Sequence, residues 1–432
     1  MSIRADGRPP FRADHVGSLL RPQALRQAFR RHAANEIGND EFARIQDDCI
    51  RAVVRLQEEV GLEVTTDGEF RRGSYWGRFV ERAEGLEVRP ALLKFRDEQG
   101  QEVDFTAPYA TGKIRRTHPL AVDEFSFLRT VSAGTAKITL PAPSTMHFLR
   151  FSDFADSAAY ADVDRFFADL VAVFRQEIAE LAQAGCRYLQ IDEIAIALLC
   201  DPSIRDRIMR AGSNPEALVE RYTDAINGAV EACPADVVIG IHMCRGNFRG
   251  RHLADGGYDW VAERFFARAK ANHFLLEYDT SRAGDFAPLR FVPKGKGVVL
   301  GIISSKTPAL ESMDSLRRRV DEAAKHIELE RLAISPQCGF SSSEKGNTIM
   351  SYERAAQKLA RVAEVADHVR GEVDQLVGHS RRQEGECEGR HRGGMVGAGP
   401  VPTGCAAQKT PRPGTRLAPA WIGSSTPFGV TV

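Results

Sequence analysis

The sequence lacks the features that would assign it to a nucleic-acid-binding, membrane or disulfide-rich class. Its 432 residues carry 58 Lys and Arg against 58 Asp and Glu, so no excess of charge favours a nucleic acid or another polyanion as partner. No stretch approaches the length that spans a membrane, and the N-terminal residues have no apolar run typical of a secretory signal. Eight cysteines in so long a chain do not make a disulfide scaffold. We therefore expect a cytoplasmic protein with small-molecule partners, no nucleic acid and no membrane.

Four residues with metal-binding side chains lie at or near the ends of segments that are expected to form β-strands. With their segments they are His242 and Cys244 (239–244), Glu277 (273–278) and Cys338 (332–338). Residues two apart on a strand point to the same face, so His242 and Cys244 can offer an imidazole nitrogen and a thiolate to one ion. Sulfur and imidazole ligands favour zinc over magnesium or calcium. Each residue alone has structural uses, since Cys is often buried as a small apolar residue, but the set predicts a zinc site.

The order of apolar segments predicts an α/β fold, a (β/α)8 TIM barrel. Apolar stripes at helical spacing, for example over residues 163–181, end at a glycine and are followed by short apolar strands. The eight expected strands are ADHVGSLL (13–20), LEVTTDGE (62–69), KITLPAP (137–143), YLQIDE (188–193), VVIGIHMC (237–244), HFLLEY (273–278), GVVLGIIS (297–304) and RLAISPQC (331–338). Strands that alternate with helices in this number are typical of the barrel, whose active sites lie at the C-terminal strand ends.

Two parts of the chain depart from this alternation. Residues 75–135 separate the second and third strands, and we interpret them as an insertion over the barrel mouth. From about residue 371 the apolar period is lost and Gly, Pro, Arg and Ala dominate, a composition that buries too little surface to offset the entropy cost of ordering. We therefore expect a catalytic barrel over residues 12–370 and a low-complexity, disordered tail over residues 371–432.

Six short segments carry a resemblance to a known family. They are HVGSLLRP (15–22), TTDGEF (65–70), LQIDEIAI (189–196), IHMC (241–244), LLEYDTSR (275–282) and SPQCGFSS (335–342). In this order they resemble the catalytic barrel of cobalamin-independent methionine synthase, over about residues 12–370. Each segment alone is weak, but the combination is highly specific.

The resemblance implies both a metal centre and a substrate pocket. The residues implied to hold one Zn²⁺ ion are His242, Cys244, Glu277 and Cys338. The residues implied to bind homocysteine are Gly17, Ser18, Glu69 and Asp192. Glu69 and Asp192 match the family's acids that hold the amino group, and they are the expected catalytic positions. From the residues alone, Glu69 could instead pair with Arg72 and Asp192 could lie in a surface loop, although their strand-end positions favour a site role.

The chain departs from the family's full-length pattern in several places. The long N-terminal half-barrel domain is missing, as in the shorter single-barrel relatives. The family's proton-donating histidine on strand seven corresponds to Ile303, and its folate-contacting glutamate corresponds to Leu198. Residues 140–148, LPAPSTMHF, replace the usual folate-side segment. The thiol side of the family site is thus expected here, while the methyl donor is left open among a folate, a methylated corrinoid and a sulfonium-type molecule.

These expectations describe a zinc-dependent S-methyltransferase. The resemblance implies methyl transfer from a donor such as 5-methyltetrahydrofolate to the zinc-bound thiolate of homocysteine, giving methionine. Two alternatives stay open: alkyl transfer to another thiol, as in the coenzyme M-type opening of an epoxide, and a non-catalytic zinc-binding paralogue. The pair Glu69 and Asp192 favours an amino-acid thiol over a sulfonate thiol, because carboxylates bind an ammonium group.

Overall fold

The structure, a computed structural model, describes residues 9–392 apart from residues 98, 342, 345, 346 and 348. Its strands are Val64–Thr65 (β1), Ala83–Pro90 (β2), Phe95–Arg96 (β3), Glu102–Val103 (β4), Thr106–Arg116 (β5), Thr135–Ala136 (β6), Ile138–Pro141 (β7), Tyr188–Asp192 (β8), Val238–Met243 (β9), His273–Glu277 (β10), Gly297–Ile303 (β11) and Leu332–Pro336 (β12). Its α-helices are Gln23–Ala33 (α1), Asn39–Glu59 (α2), Gly77–Glu81 (α3), Val122–Val131 (α4), Thr145–Phe148 (α5), Val163–Gln183 (α6), Ala195–Leu198 (α7), Pro202–Arg210 (α8), Pro215–Val230 (α9), Asp259–Phe266 (α10), Met313–Ala324 (α11) and Tyr352–Arg392 (α12).

Six parallel strands form one sheet in the order β12-β11-β10-β9-β8-β7. At one edge, β6 lies one residue before β7 in the chain and pairs in parallel with β1. At the other edge, Ala13 forms a parallel bridge with Ile334 of β12, and the Asp14 amide donates to the Ile334 carbonyl at 2.9 Å. The eight predicted strand segments thus follow one another in barrel order, and the predicted α/β barrel class is confirmed.

Burial on both faces explains why these strands are so apolar. All residues of β8, β9, β10, β11 and β12 are buried. Alternate residues point into the barrel, where Leu275, Val299 and Ala333 form a small apolar cluster. Outside, helices such as α6 pack an apolar stripe on the sheet, and this helix begins where Asp162 accepts a hydrogen bond from the Asp164 amide at 2.8 Å.

The insertion predicted at residues 75–135 is built from small elements of its own. Strands β2 and β5 form an antiparallel pair, and so do β3 and β4. The Leu92 amide donates to the Leu149 carbonyl at 2.9 Å, and the Phe95 ring lies 5.4 Å from the Phe248 ring. Because Leu149 follows β7 and Phe248 follows β9, the insertion contacts the C-terminal side of the barrel, as expected.

The last helix extends into the segment for which a disordered tail was expected. Helix α12 runs to Arg392, and the disorder expected from residue 371 stays a prediction. The stretch of residues 371–392 has no proline to end a helix, although each of its four glycines weakens one. The rest of the expected tail, residues 393–432, lies outside the described residues. Residues up to Val377 form one compact unit, those from Gly378 belong to a second, and the domain boundary predicted at residue 370 stays a prediction.

Every helix in the described part of the chain is too short or too polar to cross a membrane.

Deleting residues 379–432 is expected to leave folding and catalysis nearly unchanged, because the cut falls after Val369 and Val373, which are buried in the core. We expect the melting temperature, measured by scanning calorimetry, to stay within about 2 °C of that of the full chain. A longer deletion from residue 366, which also removes Ala366, Val369 and Val373, is the contrast and should lower it clearly. A large drop with the shorter deletion would show that the tail contributes to the fold.

Candidate metal centre

Three of the four predicted metal ligands come together inside the barrel mouth. His242 lies in β9 and Cys244 directly follows that strand, while Cys338 follows β12. One ligand atom of each residue lies within 4.8 Å of the others, and all three residues are buried. The two sulfur atoms are 3.5 Å apart. We call these three residues the His–Cys–Cys group.

His242 presents its Nε2 atom to this group. Its Nδ1 atom lies 3.2 Å from the Leu275 carbonyl oxygen, which is placed to accept a hydrogen bond from Nδ1–H. Nε2 is then left for the neighbouring Cys244 sulfur or for a metal ion, and it is buried. Metal-binding histidines commonly donate their second nitrogen to a carbonyl in this way. The buried Nε2 atom therefore fits a metal ligand.

The two cysteines differ in their affinity for a proton. The hydrogen bond that Cys338 donates lowers the pKa of Cys244 well below its usual range, and the neighbouring His242 acts in the same direction. The same hydrogen bond, together with burial, raises the pKa of Cys338. The pair thus favours one thiolate and one thiol, and a buried thiolate needs a balancing positive charge. A zinc ion would supply that charge and take both sulfurs as thiolates, so the donor set fits zinc.

Glu277 lies beside this group, but its carboxylate is bound to cations and to a backbone amide. Its Oε2 atom accepts a hydrogen bond from the Arg245 amide at 2.6 Å, and its Oε1 atom accepts one from Lys306 Nζ at 2.9 Å. Burial alone would raise the pKa of Glu277, but the charges of Lys306 and Arg245 lower it to about 2, so the side chain is ionised. The role of Glu277 as a fourth metal ligand stays a prediction.

Asp192 lies next to the His–Cys–Cys group. It ends β8 and is the register partner of His242 in β9. Burial raises the pKa of Asp192 to about 7, with His242 opposing the shift and the Glu69 carboxylate adding to it. The two acids predicted to hold an amino group are thus close enough to repel each other. Two buried carboxylates that repel each other form a good site for a cation such as an ammonium group.

Glu69 has one carboxylate oxygen that is held and one that is free. Oε1 accepts a hydrogen bond from Thr139 Oγ1 at 2.8 Å, and Arg72 lies 3.5 Å from the same atom. Oε2 is buried and has no partner in the described part of the chain. The backbone of Glu69 is left-handed, with φ of 59°, which is uncommon outside glycine and often found at binding sites. These features mark Oε2 as a position for a ligand.

The Gly17–Ser18 turn lies between Glu69 and the strand end that carries Cys338. Gly17 has φ of 127°, and a Cβ atom there would lie 3.8 Å from Glu69 Oε1. A Cβ atom at Gly339 would meet the Ser18 hydroxyl at 1.9 Å, so Ser18 packs closely against the residue that follows Cys338. The structure thus brings the predicted pocket residues to the same place as the His–Cys–Cys group. Their roles in binding stay predictions.

Two hydroxyl groups at this site were missed by sequence reasoning, those of Tyr75 and Thr145. Both hydroxyls are buried, and the Thr145 hydroxyl is close enough to Tyr75 to act on its pKa as a hydrogen-bond partner. Burial raises the pKa of Tyr75 well above its usual value, and Cys244 and Asp192 add to the shift, so this hydroxyl lies near both halves of the site. Tyr75 begins the insertion and Thr145 begins α5. No sequence pattern links two segments so far apart, so no signal could have identified the pair.

The two positions where family residues are replaced are apolar and fully buried. Ile303 is the last residue of β11, and Leu198 is the last residue of α7. Neither side chain can donate or accept a proton. These two positions therefore cannot make the polar contacts that the family pattern has there.

Replacing either cysteine of the group is expected to remove most of the zinc, because a serine hydroxyl is a much poorer zinc ligand than a thiolate. We expect about one zinc ion per chain in the wild-type protein and far less in Cys244→Ser and Cys338→Ser, measured by plasma mass spectrometry. Cys49→Ser, at a half-buried cysteine outside the group, is the control and should keep the metal. Full zinc content in both site variants would show that the assignment is wrong.

The chain is similar to one family of known proteins along most of its length. Residues 11–364 match the family model described as cobalamin-independent synthase, catalytic domain. The chain is 38% identical to the uncharacterized protein YxjH of Bacillus subtilis, over 83% of this chain and 95% of the relative. It is 25% identical to a methionine synthase of Sulfolobus acidocaldarius, over 83% of this chain and 92% of the relative.

A solved structure points to the same family. The protein comes from Listeria monocytogenes and is named as a candidate vitamin-B12 independent methionine synthase. It superimposes with a TM-score of 0.66 at 33% identity and covers 84% of this chain and 98% of its own. The match to the family model over residues 11–364 and the relative at 38% identity show that this chain belongs to the family of cobalamin-independent synthase catalytic domains.

Proposed function

We propose that this protein is a zinc-dependent S-methyltransferase that converts homocysteine to methionine. The observation that carries the proposal is the position of the His–Cys–Cys group beside the carboxylates of Glu69 and Asp192, at one end of the barrel. A thiol that also carries an amino group matches both halves of this site. Membership in the family, and the methionine synthase name of the Sulfolobus relative, support the same reaction.

His242, Cys244 and Cys338 would hold the zinc ion, with Glu277 as the fourth ligand. Zinc, when bound, deprotonates the substrate thiol and keeps its sulfur nucleophilic, since two thiolates, a carboxylate and a neutral imidazole make the ion electron-rich. Hydrolytic zinc sites usually keep three protein ligands and a water molecule, so a four-residue set suits alkyl transfer better. Both cysteines must stay reduced to act as ligands, and we therefore propose a reducing cytoplasm as the compartment.

Glu69 and Asp192 would bind the substrate ammonium through charge-assisted hydrogen bonds. Glu69 offers its Oε2 atom, which lacks a partner within the described residues. During transfer, a bond forms between the substrate sulfur and the methyl carbon while the bond from that carbon to the donor breaks. The donor keeps the electron pair of the broken bond. By fixing the amino end, the two carboxylates would align the sulfur with the methyl group, and such positioning can supply much of the rate.

A sulfonate thiol of the coenzyme M type fits the site less well than homocysteine. Its anionic group would approach Glu69 and Asp192, and like charges repel strongly in a buried space. A zinc-binding protein without catalysis would still leave Glu69 Oε2 buried without a partner among the described residues, at a cost in stability. That atom is better explained by a substrate.

A screen of methyl donors tests the proposed function directly. Zinc-loaded protein is incubated with homocysteine and, in separate reactions, with a methylated folate, a methylated corrinoid and a sulfonium compound. We expect methionine, detected by mass spectrometry, with one of these donors, and none in the Cys244→Ser control. Wild-type protein that holds zinc and forms no methionine with any donor would contradict the proposal.

The variant Asp192→Asn tests the substrate class and the residue together. It keeps the shape of the side chain but removes the charge that would face the ammonium group. A hydrogen bond to a charged group is worth about 1.5–3 kcal/mol, so homocysteine should bind at least roughly tenfold more weakly. Calorimetric titration measures this change, and zinc content should stay the same because Asp192 is not a proposed ligand.

The des-amino analogue of homocysteine is the matched control for this variant. It has the same thiol but lacks the group that Asp192 is proposed to bind, so its affinity should change far less. Equal weakening of both thiols would mean that Asp192 does not bind the amino group.

A further inference from the structure

Glu69 and Asp192, the two residues proposed to bind the substrate ammonium, are each held by a series of hydrogen bonds. Each series starts at a buried ion pair. The first series, here called the threonine relay, links Glu124, Arg72, Thr139 and Glu69. Arg72 donates to Glu124 Oε2 from Nε and Nη2 at 2.9 and 2.7 Å. Its Nη1 atom donates to Thr139 Oγ1 at 2.9 Å, and Thr139 Oγ1 is 2.8 Å from Glu69 Oε1.

The donor and acceptor roles in this relay are fixed by the chemistry of the arginine. A guanidinium group can donate hydrogen bonds but has no acceptor, so the Thr139 hydroxyl must accept from Arg72. Its one proton is then left for Glu69 Oε1. The Arg72 side chain is held in this position, because its other nitrogens bind Glu124 and the Thr139 carbonyl oxygen.

The second series, here called the glutamine relay, links Asp14, Lys137, Gln190 and Asp192. Lys137 Nζ donates to Asp14 Oδ1 at 2.6 Å and to Gln190 Oε1 at 3.1 Å. An ammonium group also has no acceptor, so the Gln190 oxygen must face Lys137 and its NH₂ group must face the other way. That NH₂ group donates to Asp192 Oδ1 at 2.7 Å and to the Val16 carbonyl.

Strand geometry places the two relays side by side. Lys137 and Thr139 are two residues apart at β7, and Gln190 and Asp192 are two residues apart on β8, so each pair points into the barrel. Thr139 is the register partner of Gln190. All four side chains are buried. In each relay, one neutral side chain therefore hydrogen-bonds both a buried cation and a carboxylate at the barrel mouth, and in the threonine relay Arg72 also lies 3.5 Å from Glu69 Oε1.

We propose that Thr139 and Gln190 are positioning residues that orient Glu69 and Asp192 for the substrate ammonium. Each neutral donor holds one oxygen of its carboxylate against the barrel wall and leaves the second oxygen for the substrate. Because the relays are in place before binding, the carboxylates lose little freedom when the ammonium arrives, and this preorganisation strengthens binding. The inference rests on the proposed function, since it assigns the amino group as the feature that the relays serve.

The test compares homocysteine with its des-amino analogue in two relay variants. Thr139→Val keeps the shape but removes the hydroxyl, and Gln190→Met keeps the length but removes the amide. We expect each to bind homocysteine at least roughly tenfold more weakly in calorimetric titration of the zinc-loaded protein, the size expected for losing a hydrogen bond to a charged group. Affinity for the des-amino thiol and zinc content should stay unchanged.

Two further variants separate positioning from a general effect on the fold. Thr139→Ser keeps the hydroxyl and should bind homocysteine about as tightly as the wild-type protein does. Thr223→Val removes an equally buried hydroxyl, which donates to the Val219 carbonyl in α9, and should change neither affinity.

The possible outcomes distinguish the relays from the proposed function. If both relay variants keep the wild-type preference for homocysteine over the des-amino thiol, or weaken both thiols equally, the relays do not position the carboxylates. If the wild-type protein itself shows no such preference, the proposed amino-thiol substrate is wrong, and the inference about the relays is wrong as well. If Thr139→Val does not fold, Gln190→Met and Thr139→Ser still decide the question.

Discussion

The parallel register of β8 and β9 is the constraint on which the site depends. It sets Asp192 opposite His242, so the carboxylate proposed to bind the substrate and the imidazole proposed to bind the metal are neighbours through backbone pairing alone. Because side chains alternate along a strand, Gln190 points inward one step deeper, below Asp192. A slip of one residue in β8 would turn both polar side chains outward and bring Ile191 into the barrel. The distance between the thiol half and the amino half of the site is therefore fixed by the sheet.

The cost of burying charge explains how the barrel interior is filled. Lys137 and Arg72 are buried, and each has a carboxylate close by, Asp14 at 2.6 Å and Glu124 at 2.7 Å. Breaking such a pair costs about 3–5 kcal/mol, because the remaining charge is left alone. Because Glu124 already neutralises the charge of Arg72, Arg72 neutralises the negative charge of Glu69 only in part. A cationic group on a substrate can balance the negative charge that remains at the barrel mouth.

The barrel class and the pairing of His242 with Cys244 could be predicted because both depend on local patterns. Alternating helices and strands define the fold, and two metal-binding residues two apart at a strand end share a face whatever surrounds them. The surroundings of Glu277 could not be predicted, since Lys306 lies 29 positions further along the chain. The pairing of β10 with β11 brings Lys306 to the carboxylate. The two relays could not be predicted from the sequence either. Thr139 and Lys137 belong to no sequence motif, and only cross-strand contacts bring them to Glu69 and Gln190.

The insertion after β1 takes part in the site as well as contacting the barrel mouth. Glu124 belongs to α4 of the insertion, and it binds Arg72, which in turn donates to Thr139 beside Glu69. A movement of α4 would therefore reach the Glu69 carboxylate through a short series of hydrogen bonds. Tyr75, at the start of the same insertion, brings a buried hydroxyl towards the site from the other direction. The segment that contacts the barrel mouth thus also supplies the partner of Arg72 beside Glu69, which is a physical reason for an insertion here where a short loop would complete the barrel.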